Sequence, residues 1–236
     1  MKRIEIIKEK LEELKNLDKG FSVFGSSRHQ YEWNPTLSDA EIRQIETDNQ
    51  LVLSEDYKEI LKNLGNGGAG CGYGLEKLAL KHVNPPYMGT KELLRNWEDP
   101  SEVDCDMVET DEISGYIKLF DYGCGMEYGL IVKGEEKEGL IFFDSDGRFE
   151  KLENNSILNT YEKWLDYNLD ALKRIQQKLE EMPLQELIDS EWEADNFSIK
   201  EMILSIIDAD PIQGGHSGNE KQIHLEKEYQ KWKSRA

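Results

Sequence analysis

The stretch Leu51-Val52-Leu53-Ser54-Glu55-Asp56-Tyr57-Lys58-Glu59-Ile60-Leu61-Lys62-Asn63-Leu64-Gly65-Asn66-Gly67-Gly68-Ala69-Gly70 decides the fold. Tyr57, Ile60, Leu61 and Leu64 recur at three- and four-residue steps, the spacing of one apolar helix face from about Glu55 to Leu64. Gly65 is placed to end that helix. Glycines continue through Cys71-Gly72-Tyr73-Gly74. Such a run either cradles a phosphate or bends backbone tightly between a helix and a sheet. It lacks the lysine and following serine or threonine of a P-loop. The dinucleotide fingerprint lies between a strand and a helix, whereas this run follows a helix. It therefore reads as a structural turn first and a recognition loop second.

Working outward, residues 2–17 form an amphipathic helix pattern on Ile4, Ile7, Leu11 and Leu14, and 20–36 are irregular. Ser38 and Glu41 make a capping box, with Leu37 and Ile42 as its hydrophobic staple. After the glycines, Leu75–Leu80 reads as a strand, 90–97 as a short helix and 98–112 as an acidic loop. Strands are expected at Gly115–Phe120, Tyr128–Lys133, Gly139–Asp144 and 148–152, separated by turn-rich segments such as Asp121-Tyr122-Gly123-Cys124-Gly125. Residues 159–181 form a long helix that Pro183 stops. Shorter helices follow at 184–192, at 198–207 behind Ser198/Glu201 and at 219–234 behind Asn219/Gln222, with a glycine-rich link over 208–218. Helices followed by consecutive strands predict an α+β fold: a twisted, mainly antiparallel sheet with flanking helices, plus a C-terminal helical extension. The expected division is 1–182 and 183–236, with the extension separable.

The 236 residues carry a formal net charge of −19. That argues against nucleic acid as a partner, because duplex binding replaces counterions with lysine and arginine. It also disfavours anionic membranes and suits a basic protein partner, whose encounter an acidic surface accelerates. Cys71, Cys105 and Cys124 are odd in number and form no CxxC, which predicts reduced thiols in the cytoplasm. The start, Met1-Lys2-Arg3-Ile4, is charged without a long apolar stretch, so no signal peptide is expected.

No constellation for chemistry stands out. His216 beside Ser217 lies in a glycine link without a scaffold to orient a triad. His29, His82 and His224 are scattered. Asp104/Asp106 and Asp144/Asp146 could suggest calcium, but the second pair precedes Gly147 without the distal glutamate of an EF-hand and reads as a hairpin turn. No metal, cofactor or catalytic residue is expected, and the oligomeric state is left open.

Leu53-Ser-Glu-Asp-Tyr57-Lys-Glu-Ile-Leu61 followed by Gly65-Asn66-Gly67-Gly68-Ala69-Gly70 resembles the signature of the SUKH superfamily. That superfamily includes fungal cell-wall assembly regulators and bacterial immunity proteins. Ser54 stands where the family usually has proline, and serine is an acceptable N-cap. Tyr116–Phe120, Asp121–Gly125, Tyr128–Val132 with Gly134, and Leu140–Asp144 resemble the family's sheet. Tyr161-Glu-Lys-Trp-Leu-Asp166 resembles its closing helix. The likeness spans about residues 38–170 and leaves the helices after 183 unexplained. It implies a non-enzymatic immunity protein that binds and neutralises a cognate polymorphic or contact-dependent toxin domain. The alternative is a regulatory or scaffolding module with a cellular partner. Recognition is expected from loops beside the sheet: Asp121, Tyr122 and Glu127, then Asp144, Asp146 and Arg148, with Asn66 and Tyr73 close by if the two glycine turns meet.

Overall fold

A computed structural model describes residues 2–88, 113–134, 136–145, 149–152, 155–190, 199–207, 209 and 218–234. Outside them lie the helix expected at 90–97, the acidic loop 98–112, Cys105, Asp104, Asp106, Asp146, Gly147, Arg148, the Ser198 cap, and His216 with Ser217; the Asn219/Gln222 cap is likewise outside the described side chains.

Four helices come first: α1 (Lys2–Leu17), the single turn α2 (Ser26–His29), α3 (Asp39–Asn49) and α4 (Glu55–Asn63). The apolar stripe of α1 is buried at Ile4, Ile7, Leu11 and Leu14. At α3 the capping box is complete: Glu41 N–H donates to Ser38 Oγ, and Ser38 N–H donates to Glu41 Oε2. Ser54 caps α4 by accepting from Tyr57 N–H. Gly65 does not end α4 by a left-handed turn: Leu64 stays in the right-handed region, and Gly65 N–H donates to Ile60 O. Its missing Cβ matters for another reason, since a methyl there would lie 2.4 Å from Asn34 O.

The sheet is an antiparallel meander, β1 (Tyr116–Gly123), β2 (Met126–Ile131), β3 (Leu140–Phe143) and β4 (Phe149–Leu152), in that spatial order. β1 and β2 run to a two-residue Cys124-Gly125 turn. Both turn residues have positive φ, 51° and 80°, the pattern whose twist matches paired strands. The expected five-residue turn over 121–125 is therefore mostly strand. One sheet face puts Ile117, Phe120, Leu130 and Leu140 into the main core. The opposite face carries a smaller cluster of Tyr116, Ile131, Ile141 and Phe143, covered by Tyr87 and Ile113.

The strand expected at 75–80 is absent. Leu75 makes single bridges to Gly68 and Phe120, and Glu76 N–H donates to Leu119 O. Two residues on, Leu78 N–H is taken by the side chain of Asn66, so no ladder continues.

The long helix α5 (Ile157–Glu181) closes the main core, burying Tyr161, Leu165, Leu169, Leu172, Ile175 and Leu179. It lies against α1, where Arg3 pairs with Glu162, Lys10 with Asp166 and Lys173 with Glu13. Three helices follow: α6 (Leu184–Ser190), α7 (Ile199–Ile206) and α8 (Gly218–Lys233). Met202, Ile203, Leu204, Ile207, Leu225 and Tyr229 join the same core cluster as α1 and α5.

A fully buried carboxylate joins the two ends of the chain. Asp18 accepts six hydrogen bonds, from Ser22 N–H and Oγ, Val23 N–H, Ser26 Oγ, Tyr31 Oη and Ser205 Oγ, at 2.5–3.2 Å. Ser205 also accepts from Gly20 N–H. A carboxyl group is tolerated in a core only when its oxygens are met by donors in this way.

Asp18→Asn should cost about 3 kcal/mol, because an amide placed among donors leaves hydrogens facing hydrogens, and Ser205→Ala about 1 kcal/mol. Urea denaturation checks both; losses within 0.5 kcal/mol for Asp18→Asn, the usual spread for surface changes, would contradict the assignment. A chain ending at Met182 loses nine buried apolar side chains, Leu184, Leu187 and Ile188 of α6, Met202, Ile203 and Leu204 of α7, Ile207, and Leu225 and Tyr229 of α8, on the order of 10 kcal/mol and comparable to the whole stability of a domain. It should be molten or insoluble, contrary to the separability expected from the sequence. A cooperative, well-dispersed truncated protein would overturn this.

Candidate functional site: a braced hairpin edge and an aromatic cleft

The two glycine turns meet. Tyr73 N–H donates to Asp121 O at 2.7 Å, and a Cβ on Gly72 would lie 2.3 Å from that same oxygen. Gly68 sits between two other backbones, exchanging bonds with Leu75 while a Cβ there would lie 2.4 Å from Glu32 O; its φ is +127°. Only glycine accepts both the conformation and the approach. The run is thus a clasp that fixes β1 to segment 32–34. Its amide groups are consumed by protein backbone, which leaves no cradle for a phosphate at Gly68 or Tyr73.

This clasp positions the expected recognition residues, and it divides them. Asn66 is buried: its Oδ1 accepts from Leu78 N–H and its carbonyl accepts from Asn34 Nδ2, so it braces the clasp and presents nothing outward. Tyr73 is half-buried, 5.3 Å from the Phe24 ring, with the Arg28 guanidinium 4.7 Å over its face. Asp121 and Glu127 face each other across β1 and β2 and share Lys118, whose Nζ lies 2.9 and 2.6 Å from them. Burial works against the Asp121 carboxylate, but Gly123 N–H, Lys118 and Arg28 outweigh it and hold its pKa below the ordinary value. Asp144 follows β3 and is half-buried. Tyr122 points to the other side of the sheet. Asp146 and Arg148 lie outside the described residues.

On that other side, between the sheet and α5, lies a cleft of about 950 Å³. Phe24, Tyr122, Tyr128, Trp164 and Tyr167 wall it, with Cys71 and Thr160 among its lining residues. Phe24 and Tyr167 remain 43% and 49% exposed, unusual for rings of that size. Phe24 stacks on Tyr122 at 6.3 Å, and Tyr122 contacts Tyr128 at 5.8 Å. Sequence reasoning found Tyr122 and missed the rest. Met126 and Tyr128 alternate on β2, and Lys163, Trp164 and Tyr167 lie at helical spacing on α5, but only the fold brings the two patterns together.

Burial holds two titratable groups of this region, Cys71 and His29, in their neutral forms. Burial pushes the Cys71 thiol up to about 12, so it stays protonated near neutrality and is a poor nucleophile. Its Sγ donates to Thr160 O at 4.0 Å. His29, edge-on to Trp164, is brought down to about 4 by burial, against the pull of Gly70 and Asp18. Its Nδ1 accepts from Tyr31 N–H, which leaves the proton of the neutral ring on Nε2. Among the described residues no cluster of three or more His, Cys, Asp or Glu could hold a metal ion, and no helix is long and apolar enough to cross a membrane.

Comparison of the chain with protein-family models, with curated proteins and with solved structures finds no match.

The depressed pKa of His29 has a signed consequence. Between its folded value near 4 and its ordinary 6.5, the unfolded chain binds a proton that the folded chain refuses. The stability due to this group is complete above about pH 6.5 and is lost as pH falls toward 4. Urea midpoints measured from pH 7 to 4.5 should therefore fall more steeply for the wild type than for His29→Gln. Parallel curves would contradict it.

Proposed function

We propose that this protein is a non-enzymatic immunity protein of the cytoplasm that binds and neutralises a cognate bacterial toxin domain of basic character. The observation that carries the proposal is the clasped edge, where a rigid backbone junction holds the Phe24–Tyr73 aromatic pair beside the ionised Asp121. Interfaces concentrate binding energy in such preorganised aromatic anchors, and surrounding charge sets the rate and orientation of encounter. The net charge of −19 attracts a basic partner at long range. The likeness of Leu53–Gly70 and the following strand set to the SUKH signature supports the same reading.

The test is co-expression with candidate basic toxin domains, beginning with any found encoded beside this gene. The wild type should restore growth and co-purify with the toxin. Phe24→Ala combined with Tyr73→Ala should weaken binding by at least about thirtyfold, the effect of losing a hot spot. Glu127→Lys with Asp144→Lys should slow association at low salt and converge with the wild type at high salt, because screening removes steering. Failure of the wild type to bind or protect overturns the function; full protection by both folded variants overturns the face.

A further inference from the structure

We infer that the cleft between β1, β2 and α5 is a binding site for a small planar aromatic ligand that carries one anionic group. This goes beyond the immunity reading and does not depend on it. A volume of about 950 Å³ lies within the range of small-molecule sites, and it far exceeds what packing leaves empty in a protein core. The rings of Tyr122, Tyr128, Trp164 and Tyr167 supply apolar faces against which a flat ring system stacks. Three of them are already committed to a place: Tyr122 lies 5.8 Å from Tyr128, Tyr128 lies 5.0 Å from Phe142 and 6.2 Å from Phe120, and Trp164 lies 5.3 Å from Tyr161. The walls are therefore preformed.

Two features select an anion over a cation or a neutral ring. Lys163 is the charged residue of the lining; it is exposed and makes no ion pair among the described residues. In this acidic protein the cations that join α1 to α5 are paired, namely Arg3, Lys10 and Lys173. An unpaired ammonium at the rim of an uncharged cleft favours a carboxylate and repels a cation. The cleft also reaches Asn155, one residue before Ser156, the N-cap of α5. The positive end of a 25-residue helix adds to the same preference. In the lining, the buried Thr160 hydroxyl has no hydrogen-bond partner among the described residues, an unmet group of the kind a bound polar atom satisfies.

The probes are indoleacetate and its neutral amide, titrated into the full chain and followed by the Trp164 indole and Gly72 amide resonances. Both should shift these signals, and indoleacetate should bind about fivefold more tightly, the advantage of one partly exposed ion pair. Lys163→Gln should abolish that advantage and leave binding of the amide unchanged. Tyr167→Ala, at a half-exposed surface position, should weaken both. The inference is overturned if neither compound moves the two signals at millimolar concentration, if acid and amide bind equally to the wild type, or if Lys163→Gln keeps the preference.

Discussion

Crowding of backbone on backbone around residues 65–76 is the constraint on which the rest of the molecule depends. Segment 32–34 lies on one side of this run, and β1 lies on the other. Hydrogen bonds from Asn34 and Ala69 hold the first contact, and those from Tyr73 and Glu76 hold the second. Side chains are excluded because carbonyl oxygens already occupy the positions their Cβ atoms would take. The clasp thereby attaches the sheet to the helical layer chiefly through main chain, braced by the side chains of Asn34 and Asn66. Main-chain contacts fix distance and angle more tightly than side-chain packing does, because no rotamer can relax them. Both the hairpin edge and the aromatic cleft inherit their shape from this junction.

The fold was largely legible in the sequence, and the misses have identifiable causes. Periodicity located α1, α4 and α5 because each buries a continuous stripe. The Ser38/Glu41 box located the start of α3 because two side-chain bonds must both form there. The strand expected at 75–80 failed because alternation reports which residues would face inward, not whether a partner strand is available; Asn66 captured the needed amide instead. Gly65 was matched to a helix-ending role, whereas its absent side chain answers a neighbour 31 residues earlier in the chain, Asn34. Long-range steric demands of that kind leave no local pattern.

The candidate site was legible in part for the same reason. Asn66 and Tyr73 were expected beside the other recognition residues if the two glycine turns met; the turns do meet, and Tyr73 N–H donates to Asp121 O. Asn66 was grouped with them as a recognition residue because it lies in the first glycine run, but the Leu78 N–H claimed its side-chain oxygen. The carboxylates Asp121 and Glu127 fell on one face of β1–β2 and Tyr122 on the other, a division set by pleat and by the irregular register between Lys118 and Gly123. Lys118 offsets part of the charge on the acidic face. In the proposed function, steering of a basic partner therefore rests on the whole acidic surface more than on any pair of residues there, and Tyr73 and Phe24 are the proposed anchors.

The carboxylate of Asp18 has a consequence for the order in which the protein can be made. Five of its six hydrogen bonds come from residues within the next thirteen positions, and the sixth comes from Ser205, 187 residues downstream. During synthesis the first five can form as soon as the segment leaves the ribosome. The sixth must wait until nearly the whole chain has emerged. Until then the Asp18 network lacks Ser205, and the core that α1 shares lacks Met202, Ile203 and Leu204. The core built by the first helices is therefore complete only once α7, made near the end of synthesis, is in place.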